Sequence, residues 1–396
     1  MISTSLLIAA YCILSSVSEL TATIKLLQSS LRVIKMPLMK RKACLTRRSQ
    51  TSVHLIKGLY EMYVTIQIGT PPQPFDVVVD TGSPVLWVHD ISCPPEECQS
   101  NRFNASHSST YQDANAKLSL SYLGGISIYG KYGYDTITLG NYTFEYQLFG
   151  MSETNGSLND IHRTLSYLEG LLGLGFPLIV TNKTDSFVSD EVAGELTIGG
   201  TNPNMFTGEI YAVPVVPLGA NDHPIYWQSF VQGLNVINDG KLVYETDLLP
   251  DTLLAIMDSG TTFSYIQEAY ATQIYIGFTG LNTTPTRLDN VWPIDCNLKS
   301  SNDFLRLSFS HSTVKTIRDP HPLVLEIPLS SFVAYETSRS TQQCFFTIIP
   351  TAKEVDDHVF LLGQNFLHNL YVVHDQLSKE IGFAVPKNRS SRIYVA

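Results

Sequence analysis

The sequence is poor in charged residues and in cysteine, and it lacks long hydrophobic runs. Charged residues are 16% of the 396 residues, which argues against a bundle of charged helices. No run beyond residue 18 is long enough to cross a membrane as a helix, which takes about 20 apolar residues. Basic residues are scarce after residue 58. This part of the chain contains 17 of the 26 Lys and Arg but 35 of the 36 Asp and Glu, which gives it a net charge of −18. So strong an acidic excess argues against nucleic acid as a partner.

Aromatic and hydroxyl residues, in contrast, are plentiful, with 20 Tyr and 18 Phe. From residue 60 on, short runs of period-two alternation are separated by Gly, Pro, Asn and Asp. This pattern predicts an all-β, mainly antiparallel protein, with one short helix at residues 267–278. The chain length favours two or more domains.

The first 18 residues predict a signal peptide. Residues 6–14 form an apolar core of nine residues, too short for a membrane span, and small polar residues follow. A buried strand is the alternative, because the basic residues that usually begin a signal peptide are missing. A secretory route also fits the six N-x-S/T motifs, which are candidate glycosylation sites: Asn104, Asn141, Asn155, Asn182, Asn282 and Asn388.

The cysteines predict two disulfides. Cys12 lies in the expected signal peptide and Cys44 follows it closely, so four cysteines remain, and four allow three connectivities. We expect the pairing that keeps each bridge within one half of the chain, namely Cys93–Cys98 and Cys296–Cys344. A zinc site is the alternative, but no C-x-x-C pair is present and the compartment is expected to be oxidising. We expect neither a metal nor a cofactor.

Residues 1–58 form a basic leader, with nine Lys or Arg and a single acid, Glu19. At neutral pH the stretch 32–48 can lie on the acidic body, and protonation of the carboxylates at low pH would release it. A solvated basic tail, or a processing site at Arg47 and Arg48, is the alternative.

A duplicated motif carries the chemistry. Asp80 lies in "FDVVVDTGSPVLWV" and Asp258 in "LLAIMDSGTTFSYI", and each aspartate joins an apolar run to a turn of small and hydroxyl residues. Each is followed some 90 to 100 residues later by a glycine-containing apolar run, "GLLGLG" or "FLLGQN". The spacing of 178 residues between the two aspartates favours two similar lobes. The alternative is a pair of turn aspartates in unrelated hairpins.

Several motifs occur in the order typical of one family. They are "YVTIQIGTPPQPFDVVVDTGSPVLWV", "SLSYLGG", "YDTITLG", "GLLGLGFP", "YWQ", "AIMDSGTT" and "FLLGQNFLHNLYVVHD". Through them the chain resembles the pepsin-like, or eukaryotic two-lobed, aspartic proteases (the pepsin and cathepsin D group), over residues 31–387. The resemblance implies a bilobed all-β fold with a cleft between two pseudo-symmetric lobes. The implied division is a signal peptide (1–18), a basic pro-segment (19–58), an N-terminal lobe with the first aspartate and the flap (59–200), and a C-terminal lobe with the second aspartate (201–396).

The resemblance also implies roles for individual residues. Asp80 and Asp258 would be the catalytic pair, because two carboxyls in contact cannot both ionise cheaply and share one proton, which suits acid and base catalysis. Tyr122 would be the flap tyrosine, hydrogen-bonded toward Trp87, with Leu171 in the same cleft; Tyr122 and Trp87 as ordinary core aromatics are the alternative. The expected support for the pair comes from Thr81, Gly82, Ser83, Ser259, Gly260 and Thr261.

The chain departs from the family in three places. Leu123 stands where the family usually has glycine in the flap, and Gln364 stands where some acid-adapted members carry an acid, with His374 in the following strand. Residues 177–194 are shorter than the family's usual helix and strand, which would expose part of the first lobe's core. Lys57 is the candidate for the pro-segment lysine that blocks the active site.

The leading hypothesis is a monomeric aspartic endopeptidase, secreted or lysosomal and made as a zymogen. It would cut polypeptides between large apolar residues and be inhibited by its own pro-segment. The runner-up is a catalytically impaired relative that binds peptides as a secreted glycoprotein, because the short first lobe and the altered flap can spoil turnover. A structural glycoprotein is the third hypothesis.

Overall fold

A computed structural model of the chain describes most of the residues after position 61. The described residues are 34–40, 62–122, 126–140, 142–155, 168–176, 192–198, 200–217, 223–246, 253–287, 291–315, 317–338, 341–351 and 358–396. The expected signal peptide, Lys57, Leu123 and the shortened segment 177–191 lie outside them.

One nine-stranded sheet contains the described strands of the first half. These strands are β1 (Ile34–Lys40), β2 (Met62–Ile68), β3 (Gln73–Asp80), β4 (Trp87–His89), β5 (Gln112–Tyr122), β6 (Ile126–Leu139), β7 (Tyr142–Asn155), β8 (Gly170–Gly173) and β9 (Val192–Ile198). The order across the sheet is β5-β6-β7-β4-β8-β3-β2-β1-β9, and β6 also pairs with β2, so the sheet curls back on itself.

The second half forms three further sheets. Its strands are β10 (Phe206–Pro214), β11 (Gln228–Asn238), β12 (Lys241–Thr246), β13 (Leu254–Met257), β14 (Ser264–Ile266), β15 (Trp292–Ile294), β16 (Phe304–Phe309), β17 (Leu323–Pro328), β18 (Val333–Ser338), β19 (Thr341–Phe346), β20 (Ile348–Pro350), β21 (Val359–Leu362), β22 (Tyr371–Asp375), β23 (Glu380–Pro386) and β24 (Arg392–Val395). The largest sheet runs β20-β14-β21-β13-β11-β16-β17-β24, with β12 on β11, and the smaller ones are β10-β23-β22 and β15-β19-β18. Helix α1 (Glu268–Thr279) lies within one residue of its predicted span, and α2 (Gln364–Leu367) is a single turn.

Each half has its own apolar core, which confirms the all-β, two-lobed fold. The first core is built on alternating strands such as β2, whose residues Val64, Ile66 and Ile68 are fully buried. The second core is larger and includes strands that are buried throughout, such as β13 and β17. Continuous burial explains why their sequences, "LAIM" and "LVLEIP", lack alternation.

The two halves repeat one local arrangement. β3 pairs in parallel with β8, so that Asp80 lies opposite Gly173, and β13 pairs in parallel with β21, so that Met257 lies opposite Leu362. A Cβ atom at Gly173 would collide with the backbone of Val85. The equivalent Gly363 is as tightly enclosed by the loop that follows β13. Glycine is therefore required where each turn passes over the neighbouring strand.

The expected disulfides are confirmed. Cys93 pairs with Cys98 in the first half and Cys296 pairs with Cys344 in the second. His89 Nδ1 lies 3.2 Å from Cys98 Sγ, and these two residues with Cys93 form the described cluster of metal-ligand types. Because the two sulfurs are bonded to each other, the structure favours the disulfide over the zinc alternative.

The leader contributes a strand to the first sheet. The backbone of β1 pairs antiparallel with β9, with Ile34 opposite Ile198, and Lys40 pairs with Met62 of β2. Among the described residues, no helix is long and apolar enough to cross a membrane.

Candidate active site

The two motif aspartates lie at equivalent strand ends and are almost fully buried. Asp80 is the last residue of β3 and is 4% exposed, and Asp258 follows β13 and is 8% exposed. Buried apolar residues precede both, so each carboxyl is anchored to the core of its own lobe. The apolar runs that surround each aspartate in the sequence have this structural purpose.

Reciprocal hydrogen bonds join the two loops. Thr81 N donates to Ser259 Oγ at 3.0 Å, and Ser259 N donates to Thr81 Oγ1 at 2.9 Å. The hydroxyls then donate onward to the opposite strand, Thr81 Oγ1 to Met257 O at 2.8 Å and Ser259 Oγ to Val79 O at 2.9 Å. Four hydrogen bonds across the junction fix the separation of the two aspartates.

Each carboxylate is held by its own loop in the same way. Asp80 Oδ1 accepts from Gly82 N at 2.7 Å, and its Oδ2 accepts a short hydrogen bond from Ser83 Oγ. Asp258 Oδ1 accepts from the backbone N–H two residues on, Gly260, at 2.8 Å, and its Oδ2 accepts from Thr261 Oγ1 at 2.6 Å. The matching donors give the site a twofold pseudo-symmetry.

The two carboxyls face each other. A Cβ atom at Gly82 would lie 2.6 Å from the Asp258 Cγ atom, and one at Gly260 would collide with the Asp80 carboxyl. Burial raises the pKa of Asp80 well above its ordinary value, and the charge of Asp258 and a side-chain hydrogen bond to it raise that pKa further. The pair therefore keeps one proton at a pH at which an isolated carboxyl would have lost it.

Tyr122 and Trp87 meet beside this pair. Trp87 Nε1 donates to the Tyr122 hydroxyl oxygen at 2.8 Å, and Trp87 is 1% exposed. Burial raises the pKa of Tyr122, the nearby charge of Asp80 adds to the rise, and a hydrogen bond to Ser83 opposes it. Leu171 packs on the same apolar cluster. A chain of contacts thus runs from the end of β5 through Ser83 to the first carboxyl.

Two features escaped the sequence reasoning. Gln364 Nε2 donates to Ser259 O at 2.6 Å, and Gln364 N donates to Thr261 O at 2.8 Å. This one residue therefore holds the loop that follows Asp258 at two points. The link from Tyr122 to Ser83 also had no sequence signal, because Tyr122 ends β5 whereas Ser83 lies in the loop that follows β3, 39 residues earlier in the chain. The resemblance marked position 364 as unusual without indicating what it contacts.

The candidate glycosylation sites differ in accessibility. Asn282 and Asn388 are exposed, whereas Asn104 is half-buried and its Oδ1 accepts from Ser106 N and from Ser106 Oγ. Asn155 is the last residue of β7, and Asn141 and Asn182 lie outside the described residues.

A pair of facing, hydrogen-bonded carboxyls at the junction of two β lobes defines the class of two-lobed aspartic proteases. The family model for eukaryotic aspartyl proteases matches residues 61–192 and 185–386, and the chain belongs to this family. It is a pepsin-like aspartic endopeptidase.

Curated relatives match most of the chain. It is 29% identical to pepsin B of Canis lupus familiaris over 344 residues, which are 81% of this chain and 80% of that protein. It is 30% identical to pepsin A of Rhinolophus ferrumequinum over 350 residues, 82% of this chain and 81% of the relative. Gastricsin of Homo sapiens is 26% identical over 343 residues, 81% of this chain and 80% of the relative.

Proposed function

We propose that the chain hydrolyses peptide bonds with a water molecule activated between Asp80 and Asp258. The ionised member of the pair takes a proton from the water, whose oxygen attacks the scissile carbonyl carbon. The protonated member donates to the substrate during the reaction, and the leaving nitrogen finally receives a proton, so that one proton stays on the pair after each cycle. The observation that carries this proposal is the pair of reciprocal hydrogen bonds between Thr81 and Ser259, because these bonds hold the two carboxyls next to each other.

We expect the substrate side of the cleft to be apolar. Trp87 and Leu171 belong to a cluster with the buried residues Val85, Leu118 and Ile128, close to the dyad. Such a cluster favours a large apolar side chain of the substrate. An extended peptide would be held above it by main-chain hydrogen bonds, with Tyr122 closing over it from the β5–β6 hairpin.

The compartment and the activation route are part of the proposal. Two disulfides fit a secretory route to the cell exterior or the lysosome. The pairing of β1 with β2 and β9 supports a pro-segment that folds as part of the first lobe. Release in acid would follow from protonation of the acidic body beneath the basic leader.

Cleavage of acid-denatured globin by the purified full-length protein is the test. We expect cleavage at acid pH, inhibition by a statine-type transition-state mimic, and a loss of rate of at least about 10² to 10⁴ in Asp80→Asn and in Asp258→Asn. Wild-type activity in either variant would refute the catalytic pair. Tight binding of the mimic without any cleavage would instead support the impaired, peptide-binding relative.

A further inference from the structure

A histidine that the catalytic scheme does not use lies where the two halves meet. His374 belongs to β22, and its Nε2 atom is buried without a hydrogen-bond partner among the described residues. Its ring packs edge-on against Trp227, with the ring centroids 4.8 Å apart, and Trp227 is 1% exposed. This place accepts a neutral imidazole as a packing group, whereas an imidazolium would lose much of its hydration there.

Trp227 connects this histidine to the backbone beside both catalytic aspartates. Its Nε1 donates to Leu174 O at 3.0 Å, and Leu174 N donates to Asp80 O at 2.6 Å. On the other side, Trp227 O accepts from Met257 N at 2.8 Å, and Met257 directly precedes Asp258. One residue therefore bridges the two strand ends that carry the carboxyls, and its indole is the group that the histidine contacts.

Among the described residues, no carboxylate forms an ion pair with His374, and burial lowers its pKa from 6.5 to about 4. Residues 174–176 contain no titratable group. The titratable side chains on its own strand, on or next to β23 and beside Trp227 are Tyr371, Asp375, Lys379, Glu380 and Tyr226. The three charged ones are exposed, and the Tyr371 hydroxyl accepts from Asn202 N at 2.9 Å. The surroundings therefore favour the neutral ring.

We propose that His374 is a positioning residue for the carboxyl pair, whose neutral ring holds Trp227 in place and whose protonated ring withdraws that support. This role rests on the proposed function, because it concerns the geometry of the catalytic pair. An imidazolium is stabilised by water, so protonation draws the ring out of its contact with the indole. The backbone on either side of Trp227 then loses its fixed position, and a displacement of about 1 Å in a catalytic pair is enough to lower the rate about a hundredfold.

The pH dependence of kcat/KM in His374→Phe tests this role. Phenylalanine keeps a ring against Trp227 and cannot be protonated. At about pH 3, one unit below the histidine pKa, about one wild-type molecule in ten keeps the neutral ring. We therefore expect the ratio of variant to wild-type kcat/KM to be about tenfold higher at pH 3 than at pH 5.5. His374→Met should give the same result, and His107→Phe, at an exposed histidine, should leave the profile unchanged. Equal profiles in wild type and both His374 variants would overturn the proposal.

A double-mutant cycle tests the path through the indole. Trp227→Phe retains a ring and removes the donor to Leu174 O, so the histidine should no longer influence Asp80. We expect His374→Phe to raise the relative rate at about pH 3 in the wild-type background and to have no effect in the Trp227→Phe background. The same tenfold gain in both backgrounds would show that the histidine does not act through Trp227.

The affinity for a statine-type mimic, measured over the same pH range, separates this role from the proposed function. Far-ultraviolet circular dichroism at each pH confirms that the protein compared is folded. We expect the mimic to bind more weakly to the wild type below about pH 4, and His374→Phe to lose that decline. If nothing is cleaved but the mimic binds, the proposed hydrolysis fails and the pH dependence of this affinity still decides the role of His374. Absence of both cleavage and binding would refute the two proposals together.

Discussion

At the scale of single residues, the hydrogen bonds of Thr81 and Ser259 hold the two aspartate loops together. Each of the two hydroxyls has both of its partners in the opposite lobe. The Thr81 hydroxyl accepts from Ser259 N and donates to Met257 O, and the Ser259 hydroxyl accepts from Thr81 N and donates to Val79 O. Alanine could not replace either residue without leaving buried groups unsatisfied. The resemblance implied that Thr81 and Ser259 support the pair, because threonine and serine follow the aspartates at equivalent positions. It did not predict the acceptors Val79 O and Met257 O, which depend on how the strands cross.

Gln364 should act as a positioning residue for the second loop. Its amide donates to Ser259 O at 2.6 Å in a site where it is 2% exposed. In Gln364→Glu the new carboxyl can keep that hydrogen bond only when protonated, so we expect the pH–rate profile to move to lower pH. Gln364→Met is the matched control, because it removes the donor at every pH and should lower the rate without moving the profile. An unchanged profile in Gln364→Glu would show that the contact has no influence on the pair.

At the scale of elements, the parts predicted from sequence are those governed by local pattern. Period-two alternation predicted strands such as β2 and β16, and α1 was placed within one residue. The parallel pairing of β3 with β8 and the curl that brings β6 onto β2 were not predictable, because pairing between distant strands leaves no trace in local periodicity.

The two disulfides should contribute unequally to stability. Cys296 and Cys344 are 48 residues apart, whereas Cys93 and Cys98 are 5 apart. A longer closed loop restricts the unfolded chain more. Replacing Cys296 and Cys344 by serine should therefore cost about 4 kcal/mol of unfolding free energy, and replacing Cys93 and Cys98 by serine about 2 kcal/mol. Denaturant unfolding of both variants measures the difference. A larger loss from the Cys93–Cys98 variant would mean that native packing, and not chain entropy, dominates.

At the scale of the whole molecule, two titratable groups make stability depend on pH: His374 lowers stability in acid, and Asp80 lowers it as the pH rises. Burial lowers the pKa of His374 from 6.5 to about 4, its Nε2 has no hydrogen-bond partner in the described residues, and its ring lies 4.8 Å from that of Trp227. Trp227 in turn packs on Phe176 of the first half and donates to Leu174 O. The histidine therefore lies where the halves meet, and the carboxyl pair lies at the same junction.

These groups predict greatest stability in mildly acidic solution. The contribution of His374 is complete above pH 6.5 and is lost as the pH falls toward 4, a loss of about 3 kcal/mol. The contribution of Asp80 has the opposite sign, since a raised folded pKa favours the fold at low pH and is lost as the pH rises through that pKa. His374→Phe should therefore retain stability in acid, and Asp80→Asn should retain it toward neutral pH, as measured by denaturant unfolding across the range. Wild-type pH dependence in both variants would refute this account.

The crossed bonding of Thr81 and Ser259 has an evolutionary consequence. Because each half uses its backbone to hold the other half's loop, neither aspartate keeps its position independently of the opposite half. A change that shifts one turn is felt at once by its counterpart, so the two halves must drift in step or lose their shared chemistry together.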